Sequence, residues 1–415
     1  MSNPRITRRR LLGAMGAASA LAALPACKKR DDSAGGGGSA GGGGSAGGGG
    51  GGGKVKIGVV VPQSGVYATV GNELKHAWEL YLERHGGKLG GREVISIVAD
   101  EGESPQTAVP AIQKLLQSDQ VDALVGVISS AVALGAKDMV AEAKKLMIVA
   151  NAGAGAITGA AKNPYIWRTS FTNAQVASVM GKHLAGKADV GPVYLLAPDY
   201  AAGAEVIRGF KATFEAGGGK VAGEAKTPFG KTQDFQPFLS GIQSSGAKAT
   251  FCFYAGAEAI AFVKQYAQFG LSTSIPLYGS GFLTEGSAVL AAQGDAAVGV
   301  QTTLHYSPEL DNPANKEFVA AWKAKYNDTP AVYAVQMWDA ASVLNRVLAT
   351  ATALDGDSLS KAMAAVGTID DSPRGAWSFD GQSPKQKMYL RKVEKRDGGL
   401  VNTVVADLGE TAPVA

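Results

Sequence analysis

The sequence has few of the residues that build disulfide frameworks or metal sites. Its 415 residues include two cysteines and four histidines. The histidines neither pair at i, i+4 spacing nor cluster with cysteine, so no zinc site is predicted. There is no Walker loop, and the glycine positions that a nucleophile elbow needs around Ser280 are held by Tyr278 and Phe282. We therefore expect no catalytic residue, no metal and no cofactor.

The sequence also lacks a broad excess of charge. Its formal charge is +4, but residues 1–27 contain four arginines and no acid, which leaves 36 basic against 36 acidic residues in the rest. A neutral body has no positive surface that would neutralise phosphates. We expect no nucleic-acid partner.

No apolar run is long enough for a confident membrane span, which needs about 20 residues. The uncharged stretch 11–26 follows Arg8-Arg9-Arg10 and is rich in Ala and Gly, which is typical of a cleaved export signal. The paired arginines resemble the twin-arginine signal, with an ordinary basic n-region as the alternative. Leu24-Pro25-Ala26-Cys27 resembles a lipobox, in which Cys27 becomes the lipidated first residue. We expect an exported protein on the periplasmic side of a bacterial membrane, anchored only by lipid at Cys27.

Residues 28–53 form a glycine-rich tract, in which Gly35 to Gly53 contain 15 of the 56 glycines. Such a tract cannot bury apolar area and is predicted to be a flexible tether. The folded part is expected to begin near Lys54. Cys252 lies in an apolar run and is interpreted as a small buried hydrophobe with no disulfide partner.

From Lys54 onward, short β-branched runs alternate with helical patterns in two successive series, which is typical of βαβ units. We predict an α/β fold with two doubly wound parallel-sheet lobes and a cleft between them. Ligands of such sheets bind beyond the carboxyl ends of the strands. The predicted strands are 56–61, 94–100, 123–128, 146–150, 193–197, 221–227, 249–254 and 276–279. The predicted helices are 71–85, 105–117, 131–145, 173–185, 203–216, 235–244, 258–269 and 335–348.

Three loops after strands of the first series share one predicted sheet edge. They contain Ser64 and Tyr67, then Ser129 and Ser130, then residues 151–155. Hydroxyls and free N–H groups at helix N-termini favour a small anion such as a carboxylate. Simple N-capping is the alternative for the two adjacent serines. The G-x-G-x-x-x-G spacing at 153–159 does not match a dinucleotide fingerprint.

Several motifs occur in an order that resembles a known family. They are Lys56-Ile57-Gly58 through Pro62-Gln63-Ser64-Gly65, Gly126 through Ser130, Trp167 through Phe171, Asp199-Tyr200 with Gly203, and Ser372-Pro373-Arg374-Gly375. Over essentially Lys54 to Leu400 the chain is similar to the leucine/isoleucine/valine-binding family of periplasmic solute-binding proteins, the type I substrate-binding components of ABC importers.

The resemblance implies three hinge crossings near Ser170, Thr303 and Gly375, and closure of the lobes around a ligand. It places lobe 1 at residues 54–170 plus 304–375 and lobe 2 at residues 171–303 plus 376–415. The ligand-binding residues that it implies or that the post-strand loops suggest are Ser64, Tyr67, Ser129, Ser130, Asn151, Ala152, Gly153, Phe171, Tyr200, Gly281, Phe282 and Trp338.

One departure from the family bears on the ligand. Where amino-acid binders of this family present an acid to the ligand's ammonium, this chain has Tyr278-Gly279-Ser280-Gly281-Phe282. An unpaired buried ammonium costs several kcal/mol, so either Glu258 or Glu285 substitutes or the ligand has no amino group. We expect a monomer that performs no chemistry and delivers a small apolar carboxylate or branched-chain-type amino acid to an ABC permease. An aromatic-carboxylate binder and a ligand sensor for a signalling receptor are the alternatives.

Overall fold

The computed structural model describes residues 53–65, 67–102, 104–396 and 398–414. The predicted export signal, the lipidation of Cys27 and nearly all of the predicted tether lie outside these residues. No helix in the described ranges combines the length and apolar character that a membrane crossing requires.

The first sheet has six strands in the order β2-β3-β1-β4-β5-β6. All neighbours are parallel except β2, which pairs antiparallel with β3 at the edge. Strands β4 and β5 are buried along their whole length, which explains their uninterrupted apolar sequences. The strands are β1 (Lys54–Val61), β2 (Lys88–Leu89), β3 (Arg92–Asp100), β4 (Ala123–Gly126), β5 (Leu146–Val149) and β6 (Ile166–Arg168).

The helices that cover the first sheet come from two parts of the chain. The first three alternate with the strands, and three more, within residues 313–364, lie between the first five and the last three strands of the second sheet. The tenth helix packs against the first helix and strands β4 and β5. These helices are α1 (Ala68–Arg84), α2 (Pro105–Gln117), α3 (Ser130–Glu142), α9 (Pro313–Tyr326), α10 (Val332–Thr350) and α11 (Gly356–Ala364).

The second sheet has the order β12-β13-β11-β10-β9-β7-β8, and β14 also pairs with β13. Its strands are β7 (Val193–Pro198), β8 (Val221–Thr227), β9 (Ala249–Cys252), β10 (Leu277–Ser280), β11 (Gln301–Leu304), β12 (Ser378–Asp380), β13 (Ser383–Arg396) and β14 (Gly399–Thr411). The helices of this region are α4 (Asn173–Ala185), α5 (Ala201–Ala216), α6 (Gln236–Ser244), α7 (Gly256–Gln268) and α8 (Ser287–Gln293).

The predicted α/β fold with two lobes is confirmed, but neither sheet is purely parallel, since β2 is antiparallel at the edge of the first sheet. Strands β12, β13 and β14 are antiparallel to their neighbours, so the second sheet is mixed rather than purely parallel. The long β13 is largely buried up to Val393, whereas β14 has one buried residue, Asn402, and is otherwise half-buried or exposed, as expected at a solvated sheet margin.

The chain passes between the two sheets three times: after β6, after β11 and before β12. The first and third passages are tied together by Arg374, whose guanidinium donates to the carbonyl oxygens of Thr169 (2.6 Å) and Ser170 (3.1 Å). The same guanidinium pairs with the buried carboxylate of Asp339 at 2.8 Å. The residue boundaries of the two lobes and the hinge action of these passages stay predictions.

Candidate functional site

A cavity of about 240 Å³ lies between the two lobes. Its walls come from the segments that follow β1, β4, β5 and β6 of the first sheet and β7, β8, β9 and β10 of the second, together with Tyr333 in the first turn of α10. This is the edge at which ligands of open α/β sheets bind. Eight residues singled out from the sequence line it: Tyr67, Ser129, Ser130, Asn151, Gly153, Phe171, Tyr200 and Phe282.

One end of the cavity is the N-terminus of α3. The Ser129 hydroxyl caps the helix by accepting from the Val132 N–H at 3.5 Å. No described residue accepts the N–H groups of Ser130 and Ala131, and both residues line the cavity. The Ser130 hydroxyl oxygen accepts from the Ala154 N–H at 3.0 Å, so its own hydrogen can be donated elsewhere. Free first-turn N–H groups and the helix dipole suit a carboxylate here.

A buried carboxylate behind this helix was missed by the sequence analysis. Glu101 is 1% exposed and accepts from the N–H groups of Ile128 (2.8 Å) and Ser129 (2.6 Å). Burial raises the pKa of Glu101 to about 8. The N–H groups of Ile128 and Ser129 are therefore occupied by Glu101, and in the described part of the chain the first N–H group free to bind a ligand is that of Ser130. The position of Glu101 directly after β3, at the same sheet edge, was the signal available in the sequence.

The loop after β5 rests on a buried arginine. Arg168 is fully buried and donates to the carbonyl oxygens of Ala152 (3.1 Å) and Ala154 (2.8 Å). Burial lowers the pKa of this guanidinium to about 9, and Glu205 of the second lobe is the carboxylate that acts against this shift. Its direct hydrogen-bond partners in the described chain are neutral groups. A buried cation under this loop favours an anion in the cavity above it.

The rest of the cavity is dominated by aromatic rings. The ring centroids of Tyr200 and Phe229 lie 4.2 Å apart, those of Phe171 and Phe282 lie 4.9 Å apart, and Tyr333 lies 5.9 Å from Phe282. Most of these rings come from the second lobe. Phe229, Phe253 and Tyr333 also line the cavity but were not expected from the sequence, because nothing local distinguishes them from core aromatics.

Polar contacts join the lobes around the cavity. The hydroxyls of Tyr67 and Tyr200 are hydrogen-bonded to each other, and burial raises the pKa of Tyr200 well above its usual value. Glu205 accepts from the Gly155 N–H at 3.1 Å and from the Asn173 side-chain amide at 2.9 Å. These contacts connect the two lobes beside the cavity.

Neither of the two acids considered as ammonium partners lines the cavity. Glu258 accepts from the Gly230 N–H at 2.9 Å. Glu285 is paired with Arg391 at 2.7 Å and accepts from the Val332 N–H at 2.6 Å. No acidic side chain of the described residues forms part of the cavity wall.

The comparison with protein families identifies the family to which this chain belongs. The model of the periplasmic binding protein family matches residues 54–399. The chain belongs to this family. The resemblance found in the sequence is thereby confirmed, and the protein is a periplasmic solute-binding protein of the ABC transporter type.

The relatives of this periplasmic binding protein differ in what they are named for. The Leu/Ile/Val-binding protein homolog 6 of Brucella melitensis is 33% identical over 352 residues, covering 83% of this chain and 89% of the relative. The solute-binding protein of an ABC transporter from R. palustris, solved with benzoate, is 35% identical with a TM-score of 0.79, covering 87% of this chain and 98% of that one. Its counterpart from Rhodopseudomonas palustris BisB5, solved with 3,4-dihydroxybenzoic acid, is 34% identical with a TM-score of 0.78, covering 85% and 97%.

Three of the residues singled out from the sequence have structural roles beside the cavity of this binding protein. Ser64 donates its hydroxyl to Asp100 at 2.8 Å on the exposed side of its loop. Ala152 is fully buried and faces Arg168 through its carbonyl. Gly281 allows close packing, since a Cβ there would lie 2.5 Å from the Cβ of Leu304.

Trp338 also lies outside the cavity. Its ring centroid is 4.8 Å from that of Tyr81 and 5.0 Å from that of Phe318, so it packs among aromatics of the first lobe. On the same helix, Tyr333 lines the cavity instead, because it lies in the first turn of α10 and faces Phe282. The interpretation of Trp338 as a ring that closes over the ligand is not supported by this position.

Proposed function

We propose that this periplasmic binding protein captures a small aromatic carboxylate between its lobes and delivers it to an ABC permease. The observation that carries the proposal is the composition of the cavity wall: aromatic rings on one side, free helix N–H donors on the other, and no acidic side chain from the described residues.

The donors at the start of α3 suit the carboxylate of such a ligand. The N–H groups of Ser130 and Ala131 and the hydroxyl of Ser130 can each donate to it, and the cation of Arg168 lies under the adjacent loop. A carboxylate held in this way keeps its charge in a closed site, since hydrogen bonds and positive charge replace its water.

The aromatic rings suit the rest of the ligand. The stacked rings of Tyr200 and Phe229 and the tilted pair of Phe171 and Phe282 border an apolar space. Aromatic pairs contribute roughly 0.5–1.5 kcal/mol beyond their buried area. The benzoate and 3,4-dihydroxybenzoic acid in the two related solved structures support this ligand class.

A branched-chain amino acid is the second candidate, and the names of the curated relatives favour it. It would bring an ammonium into a cavity whose described wall has no acidic side chain. An unpaired ammonium in a closed site costs several kcal/mol. This difference makes the two ligand classes separable by direct binding measurements.

The proposal includes transport rather than catalysis, a monomeric protein, and a lipid anchor at Cys27 after export. Lipidation is tested by replacing Cys27 with Ala, which should move the protein from the membrane fraction to the soluble fraction.

A ligand sensor for a signalling receptor would use the same cavity. Loss of aromatic-acid uptake in a strain without the gene supports transport, and loss of an aromatic-acid response with unchanged uptake supports sensing.

Ligand class is tested by isothermal titration calorimetry of the purified protein with benzoate and with leucine. The expected result is saturable binding of benzoate with no change in the recovered compound. Saturable binding of leucine without binding of benzoate would overturn the proposal, as would enzymatic turnover of the acid.

A further inference from the structure

The N-terminus of α10 is capped by two carboxylates from different parts of the fold. Glu73 accepts from the Ala331 N–H, and Glu285 accepts from the next N–H, that of Val332, at 2.6 Å. The first N–H groups of a helix have no partner within the helix, and they attract negative charge. Both caps satisfy such groups.

The two caps depend on lobe closure in different ways. Glu73 lies on α1, which packs directly against α10 over the first sheet. Glu285 lies between β10 and β11, which are neighbouring strands of the second sheet. The Glu73 cap is therefore internal to the first lobe, whereas the Glu285 cap crosses from the second lobe to the first.

The carboxylate of Glu285 is held in a fixed position by Arg391. The two side chains are buried and pair at 2.7 Å. Arg391 in turn donates to the carbonyl oxygens of Gly281 and Tyr306, each at 3.0 Å. The acceptor for Val332 is thus anchored to the second lobe through Arg391 and Gly281, and its reach toward α10 is set by the position of that lobe.

The contact lies immediately beside the cavity without being part of its wall. Phe282 precedes Glu285 by one turn of chain and lines the cavity, and Tyr333 follows Val332 and lines it from the other lobe. The rings of Phe282 and Tyr333 are 5.9 Å apart. The bond between Glu285 and Val332 fixes the separation of the two segments that carry these rings.

We propose that Glu285 is a positioning residue for the ligand, acting as a clasp that holds α10 against the second lobe in the closed form. It sets Tyr333 against Phe282 over the bound molecule and slows the escape of that molecule. This inference rests on the proposed function, because the ligand that is retained is the aromatic carboxylate.

The test is the rate at which benzoate dissociates from Glu285→Gln, with Glu73→Gln as the matched control at the same helix terminus. The Glu285→Gln variant loses a hydrogen bond to a charged group that exists only in the closed form. This loss is expected to raise the dissociation rate roughly tenfold with little change in the association rate. The dissociation rate of Glu73→Gln should stay within about twofold of that of the unmodified protein, because the Glu73 cap does not cross between the lobes. Stopped-flow fluorescence measures both rates.

A second variant guards against misfolding, since Glu285→Gln removes the carboxylate partner of buried Arg391. Val332→Pro deletes the N–H donor while leaving the pair of Glu285 and Arg391 in place, and Pro is favoured at the first position of a helix. Ala331 is already extended, with φ −96° and ψ −177°, as a residue before Pro requires. Val332→Ala, which keeps the N–H, is its control. Faster dissociation from the Pro variant than from the Ala variant supports the clasp, and equal rates overturn it.

The inference and the proposed function fail in different ways. If the unmodified protein binds benzoate and both clasp variants release it at the unmodified rate, the clasp is overturned and the ligand class stands. If the unmodified protein binds no aromatic acid, the proposed function fails, and small-angle X-ray scattering of the ligand-free proteins then tests the clasp. A larger radius of gyration for Glu285→Gln than for Glu73→Gln supports it, and equal radii overturn it.

Discussion

The two adjacent serines at the start of α3 make different contacts, and their alanine variants should differ accordingly. The Ser130 hydroxyl can donate to a carboxylate at the free N–H groups of residues 130 and 131, whereas the Ser129 hydroxyl caps Val132 at 3.5 Å. A hydrogen bond to a charged group contributes about 1.5–3 kcal/mol. Ser130→Ala is therefore expected to weaken benzoate binding by about 10- to 150-fold.

The same substitution has a separate effect on stability. It leaves the buried Ala154 N–H without its 3.0 Å acceptor, which lowers the free energy of unfolding by about 1–3 kcal/mol. Ser129→Ala removes the helix cap and lowers this free energy by about 0.5–2 kcal/mol, but it should change the benzoate affinity by no more than about twofold. Stability alone therefore does not separate the two variants, and affinity does.

The assay is calorimetric titration of both variants with benzoate and with benzamide, its neutral analogue, alongside chemical denaturation. Benzamide should be affected much less by Ser130→Ala, since the lost bond is charge-assisted only for the carboxylate. If Ser130→Ala binds benzoate as the unmodified protein does, or if Ser129→Ala weakens binding equally, the carboxylate does not bind at this helix terminus.

Two further predictions concern the loops around the cavity. The pKa of Glu101 is about 8 in the folded protein against about 4.5 when it is solvated, so its contribution to stability is fully present below about pH 4.5 and is lost as the pH rises through 8. Relative to Glu101→Gln, which retains an acceptor oxygen, the unmodified protein should lose stability between pH 5 and about pH 9 in urea denaturation, and parallel pH profiles would contradict this. In Gly153→Ala, the added Cβ would lie 2.2 Å from the Asn173 side-chain oxygen and 2.6 Å from the Phe171 ring. Overpacking of this kind costs roughly 1–3 kcal/mol, so benzoate should bind at least about fivefold more weakly in calorimetry, and an unchanged affinity would show that the segments move apart freely.

Much of the fold could be predicted from the sequence, because its signals are local. The bounds of α2, α4 and β8 match the predicted ranges, because capping or turn residues mark their ends. The antiparallel strands β13 and β14 were not predicted. Their charged, half-exposed sequences differ from the apolar runs of the central strands, and their pairing depends on contacts far along the chain.

The candidate site was predictable on its first-lobe side from the post-strand loops, whereas on the second-lobe side only Phe171, Tyr200 and Phe282 were singled out. The carboxyl ends of parallel strands lie at the same edge of a sheet, so the loops after β4 and β5 were expected to be neighbours. In the structure Ser130, Asn151 and Gly153 of these loops line the same cavity. The positions of Phe229 and Tyr333 depend on how the second lobe docks. Glu285 could be predicted neither as a cap of α10 nor as the partner of Arg391, because both contacts join residues distant in sequence.

The most direct test of the account compares two ligands that differ by a single amino group, 3-phenylpropionate and L-phenylalanine, by calorimetry on the unmodified protein. The cavity wall offers donors for a carboxylate and rings for an aromatic group, with no described acid for an ammonium. The account predicts that 3-phenylpropionate binds at least about 100-fold more tightly, since an unpaired buried ammonium costs several kcal/mol. Equal affinities, or tighter binding of L-phenylalanine, would contradict it.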